Sequence, residues 1–209
     1  MQAEMSMQRL VAALLGAAFI EWAVWAWRPG GFWPLIAGGT ALLGLLALWL
    51  RRGWLKDPGP RQGDFGVGLL AAVALYAVAW LGHLALLHVW PAGVLELLGL
   101  YGLVGTAPWP LVAILVALVI APGEELFWRG LVLVGLRERL GGRPWLAVFG
   151  AALLFGAAHL FSGSPVLALA AMAGGLAWGA LYQRTGRLAP VIVSHILWDL
   201  AVLLFFPLR

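Results

Sequence analysis

Three short patterns in the second half of the chain could do chemistry together. The first is Pro122-Gly123-Glu124-Glu125-Leu126-Phe127-Trp128-Arg129, with two adjacent acids and a cation one helical turn on. The second is Phe155-Gly156-Ala157-Ala158-His159, and the third is Ser194-His195-Ile196-Leu197-Trp198-Asp199. On a helix, Glu125 and Arg129 stand at i, i+4 and can pair on one face. Glu124 is rotated ~100° from Glu125 and points elsewhere, which leaves it as a free carboxylate able to act as a base toward water. His195 and Asp199 are also at i, i+4. An acid so placed can fix the tautomer of the imidazole, or the two can meet a common oxyanion or metal. The chain has no cysteine, so a thiol nucleophile and Cys-ligated metals are excluded.

The elements that must position these groups are membrane helices. Of the 209 residues 63% are hydrophobic and only 11% charged, with a mean hydropathy of +0.96, so the chain cannot cover a soluble surface. A soluble enzyme, a nucleic-acid reader and a disordered regulator are set aside, despite the net charge of +4. Seven spans follow from the apolar runs: Leu10 to Trp27, Phe32 to Leu50, Phe65 to Trp90, Trp109 to Ala121, Trp145 to Phe161, Val166 to Gln183 and Leu188 to Phe206. The fourth meets Pro122 and continues as a more polar helix to Leu140. Nothing before Arg28 reads as a cleavage site, so the first span is expected to be a retained helix. Residues 92–106, interrupted by Pro and Gly, are either an eighth helix or a re-entrant or surface segment.

Arg9, Arg51, Arg52, Lys56, Arg61, Arg137, Arg139, Arg143, Arg184 and Arg187 alternate onto one side, with Arg28 and Arg209 on the other. The excess of basic residues predicts a cytoplasmic amino terminus and an external carboxyl terminus. Trp27, Trp33, Trp49, Trp54, Trp90, Trp109 and Trp145 stand near the span boundaries, as interfacial rings do. In the sixth span Gly175 and Gly179, with Ala171 one turn earlier, suit close helix packing within the protein. At 1.5 Å per residue, Glu124, His159, His195 and Asp199 fall within one slab, ~10–22 Å from the cytoplasmic ends of their helices. Buried ionisable groups in a membrane are costly, and ones that cluster mark a site. His83 and His88 of the third span and Glu21 of the first lie outside the patterns. Phe155 is expected to pack against the His159 helix, and Trp128 and Trp198 are expected as cavity walls.

Glu-Glu-x-x-x-Arg, then Phe-x-x-x-His, then His-x-x-x-Asp, in this order on successive membrane helices, resembles the CPBP intramembrane proteases. These are the CAAX prenyl endopeptidase and bacteriocin-processing group, often called Abi proteins. The resemblance covers about residues 109–206. It implies an all-α polytopic fold of seven to eight transmembrane helices, with a conical intramembrane catalytic cavity. Residues 1–209 would be one membrane domain, 1–108 its variable helices and 109–206 its catalytic core. The implied activity is cleavage of a membrane-associated peptide or protein near its carboxyl terminus. By the same resemblance Glu124 and His159 activate water, Glu125 and Arg129 orient the site, and His195 with the last motif position stabilises the oxyanion.

Many members have Asn where this chain has Asp199, and a carboxylate donates to an oxyanion only when protonated. The family is described both as metal-dependent and as glutamic. Zinc on Glu124, His159, His195 and Asp199 is therefore open, but no H-E-x-x-H helix is present. The glutamate mechanism without a metal is the expectation. A non-catalytic immunity or binding protein on the same scaffold is the main alternative. A proton-coupled transporter is the other, disfavoured because the acids share one depth and no inverted repeat is visible. The expected location is a bacterial inner membrane, with the lipid bilayer and an anchored substrate as partners and no nucleic acid. The prevalence of Arg over Lys and the Ala, Gly and Leu richness point to a GC-rich bacterial genome.

Overall fold

In a computed structural model, the described residues are 6–27, 31–51, 59–141 and 143–208. Arg28, Arg52, Trp54, Lys56, Gly142 and Arg209 lie outside them. The described chain is all helix, without strands. Six helices are long and apolar enough to cross a membrane: α1 (Met7–Trp27), α2 (Phe32–Leu50), α3 (Asp64–Val89), α5 (Trp109–Arg139), α6 (Pro144–Ser162) and α7 (Pro165–Thr185). Two shorter apolar helices complete the set, α4 (Pro91–Val104) and α8 (Ala189–Phe205). The segment around 92–106 is therefore helical. Its 14 residues span only ~21 Å, short of a hydrocarbon core of ~30 Å.

Each helix is apolar all round, as lipid solvent demands, and residue size decides which side faces in. On α1, Leu10, Ala13, Ala17 and Glu21 are buried at helical spacing, while Leu15, Phe19 and Trp27 are exposed. On α2 the buried stripe is Trp33, Ala37, Thr40, Leu43, Gly44 and Ala47. The small residues let backbones approach closely. Gly175 and Gly179 face α6, where a Cβ on either would stand 3.0 Å from Ala152 Cα or Val148 Cγ1. The G-x-x-x-G is thus spent on packing inside the protein.

The most deeply buried helix is α5, which carries the glutamate pair. It runs unbroken through Pro122, although proline lacks the N–H that would continue the ladder. Wider, π-type turns at Val116–Ile120 and Leu126–Leu133 flank the short α-helical stretch Ala121–Glu125. Such slips in the ladder absorb the missing donor and re-aim the side chains that follow. Across from them α2 packs so closely that a Cβ on Gly123 would overlap the Thr40 backbone. Thr40 itself turns its hydroxyl back to donate to the Ile36 carbonyl at 2.8 Å. Arg51, at the end of α2, donates to the Gly130 carbonyl and fixes the depth of α5 against α2.

The other frame around the site is α3 with α8. Asp64 accepts from Arg187 Nε at 3.0 Å, and this bonding raises the Arg187 guanidinium above its usual pKa. Gly68 lies against Pro190 and Val193, so the two helices run in the same direction. At the far end, the turn of α8 widens over Ala201–Phe205. Tyrosines use the carbonyls there: Tyr101 donates to Val202 at 3.0 Å and Tyr76 to Phe206 at 2.9 Å. Glu96 holds α4 to the start of α7, accepting from Ser164 Oγ at 2.7 Å and from the Val166 N–H at 3.4 Å.

Candidate active site

Three helices bring the predicted residues around one cavity of about 480 Å³, whose walls include Glu124, His159, His195 and Asp199. The two adjacent glutamates part company there. Glu125 is fully buried and accepts from Arg129 Nη1 at 2.8 Å, the pair that the i, i+4 spacing predicts. Its same oxygen stands 2.6 Å from His195 Nδ1. A carboxylate paired with a guanidinium has only acceptors to offer, so Nδ1 carries the hydrogen. The His195 tautomer is therefore set by Glu125, 70 positions away, and not by its helical neighbour Asp199. Asp199 faces the other nitrogen, with Oδ2 3.5 Å from Nε2. Glu124 approaches that nitrogen too, at 3.9 Å. Nε2 of His195 is thus turned to the cavity between two carboxylates.

Aromatic rings hold this arrangement from behind. Trp178 stacks on His195 at 3.8 Å between centroids, 22° from parallel, and donates from Nε1 to Ser194 Oγ at 3.2 Å. The Arg129 guanidinium lies over Phe155 at 4.9 Å and Trp178 at 5.2 Å, so its positive charge is met by ring faces as well as by Glu125. Phe155 meets His159 edge-on at 4.7 Å. His159 Nδ1 lies 2.9 Å from the Phe155 carbonyl, which can only accept, so Nδ1 carries the hydrogen and Nε2 keeps its lone pair. Phe155 both packs the helix and walls the cavity.

One residue, Trp128, differs from expectation. Trp198 lines the cavity, but Trp128 does not; it is buried in the core against Phe127 and Phe155. Glu21 accepts from Trp25 Nε1 at 3.0 Å, a local structural bond, and its charge reaches His159. The sequence reading has no signal for the Glu125–His195 contact, for the Trp178 stack or for Ser194. Among the described residues no group of three or more His, Asp or Glu is gathered as a metal ion requires. His195 and His159 both direct Nδ1 to a protein oxygen, which leaves Nε2 of each ring unused by those bonds.

Residues 106–201 match a family model described as Rce1-like, type II CAAX prenyl endopeptidase Rce1-like. The second half of this chain is similar to that family. The match takes in all three patterns, from Glu124 to Asp199, and the scaffold around them is that of a multi-pass membrane protein. No curated protein and no solved structure matches the chain. The helices α1 to α4 lie outside the Rce1-like segment, yet Leu75, His83 and Leu100 from them line the same cavity.

Proposed function

We propose that the protein is an intramembrane endopeptidase that hydrolyses a peptide bond near the carboxyl terminus of a membrane-associated protein or peptide. The observation that carries this reading is the division of the glutamate pair. Glu125 is consumed by Arg129 and His195, whereas Glu124 faces the cavity beside His195 Nε2.

The reaction follows from these atoms. Glu124 takes a proton from water, and the Nε2 lone pair of His159 accepts from the same water and orients it. The water oxygen attacks the scissile carbonyl carbon, whose oxygen becomes an oxyanion. His195, as the imidazolium, donates Nε2–H to that oxyanion, and Asp199 and Glu125 balance its charge. Collapse of the tetrahedral intermediate breaks the C–N bond, and the proton held by Glu124 passes to the departing amine. In this reading Asp199 works through His195 and does not itself donate to the oxyanion. Arg129 pairs with Glu125 and so keeps the imidazole turned.

The glutamate chemistry is favoured over zinc because, among the described residues, no three or more His, Asp or Glu are gathered as ligands. Residues 109–206 form the catalytic core and 1–108 shape its access. The excess of basic residues on one side supports a cytoplasmic amino terminus and an external carboxyl terminus, in a bacterial inner membrane. The test uses purified protein in detergent, a library of tagged membrane peptides, and the variants Glu124→Gln and His159→Ala. The wild type should cleave a subset, with undiminished activity in a strong chelator, and both variants should fail. Identical patterns from wild type and variants, or no cleavage by any of them, would overturn the reading.

A further inference from the structure

One buried acid stands outside the mechanism. Glu21 of α1 is only 5% exposed and belongs to a helix of membrane-spanning length, outside the three patterns and outside the Rce1-like segment. It takes the next place on the inward stripe of Leu10, Ala13 and Ala17, whose small residues let α1 approach its neighbours closely. Its one hydrogen bond among the described residues comes from the neutral Trp25 Nε1 at 3.0 Å. No Lys or Arg among the described residues pairs with it. A carboxylate held in a membrane without a cation is costly. Anchoring one indole does not call for that charge, because an amide oxygen accepts the same bond.

Packing brings this acid toward the second pattern. The α-helical part of α1 and its wider turn Ala23–Trp27 both lie against residues 160–162, the turn that directly follows His159. Trp25, which donates to Glu21, and His159 are walls of the same cavity. The charge of Glu21 reaches His159. On the ring itself Nδ1 is turned to the Phe155 carbonyl, so Glu21 acts across space and not through a hydrogen bond.

The other acids near the cavity already have tasks. Glu125 pairs with Arg129 and His195, and Asp199 stands by His195 Nε2. Glu96 of α4 accepts from Ser164 and Val166, and Glu124 is the base. In the proposed reaction the His195 imidazolium is thus balanced by two carboxylates. His159 also gains positive character as its Nε2 lone pair draws on the water, and none of these acids is left to balance it.

We propose that Glu21 is a positioning residue of the reaction: its carboxylate, supplied by α1, sets a negative charge beside His159 and strengthens that imidazole as the acceptor that orients the attacking water. This rests on the peptidase reading and extends its machinery to a helix outside the Rce1-like segment.

The test compares the intact wild type in detergent with Glu21→Gln and Glu21→Asp. Thermal midpoint, kcat and KM are measured on one peptide that the library screen shows to be cleaved. Glu21→Gln keeps an acceptor for Trp25 and removes only the charge. Its kcat should fall about tenfold, short of the ~10²–10⁴-fold expected for a lost catalytic group, with KM and midpoint unchanged. Glu21→Asp keeps the charge one methylene further back, and its kcat should lie between those of Glu21→Gln and the wild type. A Glu21→Gln enzyme with the wild-type kcat overturns the assignment. So does a loss of kcat that comes with a lowered midpoint and that Glu21→Asp does not relieve, since that is the mark of a structural role. If Glu21→Gln does not fold, Glu21→Asp decides, and a wild-type kcat in that variant overturns the assignment. A wild type that cleaves none of the peptides overturns the peptidase reading and this proposal together, whereas the other contrary results overturn this proposal alone.

Discussion

The two sides of the His195 ring have opposite characters. Behind it, on the Nδ1 side, Glu125, Arg129, Trp178 and Phe155 form a buried assembly of hydrogen bonds and ring faces. In front, on the Nε2 side, Glu124 and Asp199 stand at 3.9 and 3.5 Å and open on the cavity. Two glutamates adjacent in sequence fall on opposite sides of this boundary. The difference teaches that a carboxylate's task is set by what already occupies it. The paired one holds geometry, and the unpaired one is left for chemistry.

Breaking the rear side should have the largest effect on the fold. Arg129→Ala leaves the Glu125 carboxylate buried without its cation, which costs about 3 kcal/mol or more. The expected outcome is a clear fall in the thermal midpoint in detergent, with cleavage lost as a consequence. Arg129→Lys should recover part of the stability, since a cation remains. Changing the front side should leave the fold alone. Asp199→Asn removes a charge but keeps an acceptor near Nε2, a difference of about 1 kcal/mol between charged and neutral hydrogen bonds. Cleavage rates within tenfold of wild type, at an unchanged midpoint, are expected from steady-state kinetics. A collapse of activity would show that the carboxylate itself is required. The smallest effect belongs to Trp178→Phe, which keeps a ring against His195 and loses the bond to Ser194. Its cost should be about 1 kcal/mol, read as a small drop in midpoint with kcat retained.

The same boundary divides what could be read from the sequence. The Glu125–Arg129 pair was legible because both residues are on one helix, where spacing dictates proximity. It survives the π-type turns because a slightly wider turn still leaves i and i+4 on one side. The convergence of Glu124, His159, His195 and Asp199 was legible in outline, since apolar span lengths fix depth and depth limits what can meet. The Glu125–His195 contact was not, because which nitrogen an imidazole offers depends on the rotation of α8 against α5. That rotation is decided by packing: Gly123 against Thr40 seats α5 on α2, and Gly68 against Pro190 and Val193 seats α8 on α3. The span count was nearly complete, and the helical state of residues 91–104 was left open. Its Pro and Gly content argued for a break, but the proline falls at the first helical turn, where it is tolerated. His83 stood out as a histidine within a membrane span, but nothing in a sequence says which face of α3 borders a cavity.

The most direct test compares the two neighbours. Glu124→Gln and Glu125→Gln would be purified side by side, with thermal midpoint and peptide cleavage measured on each. Glu124→Gln should keep the wild-type midpoint and lose activity by about 10³-fold, as expected for removal of a general base. Glu125→Gln should lower the midpoint. A Glu124→Gln enzyme that cleaves at the wild-type rate would contradict the assignment of Glu124 as the base that activates water.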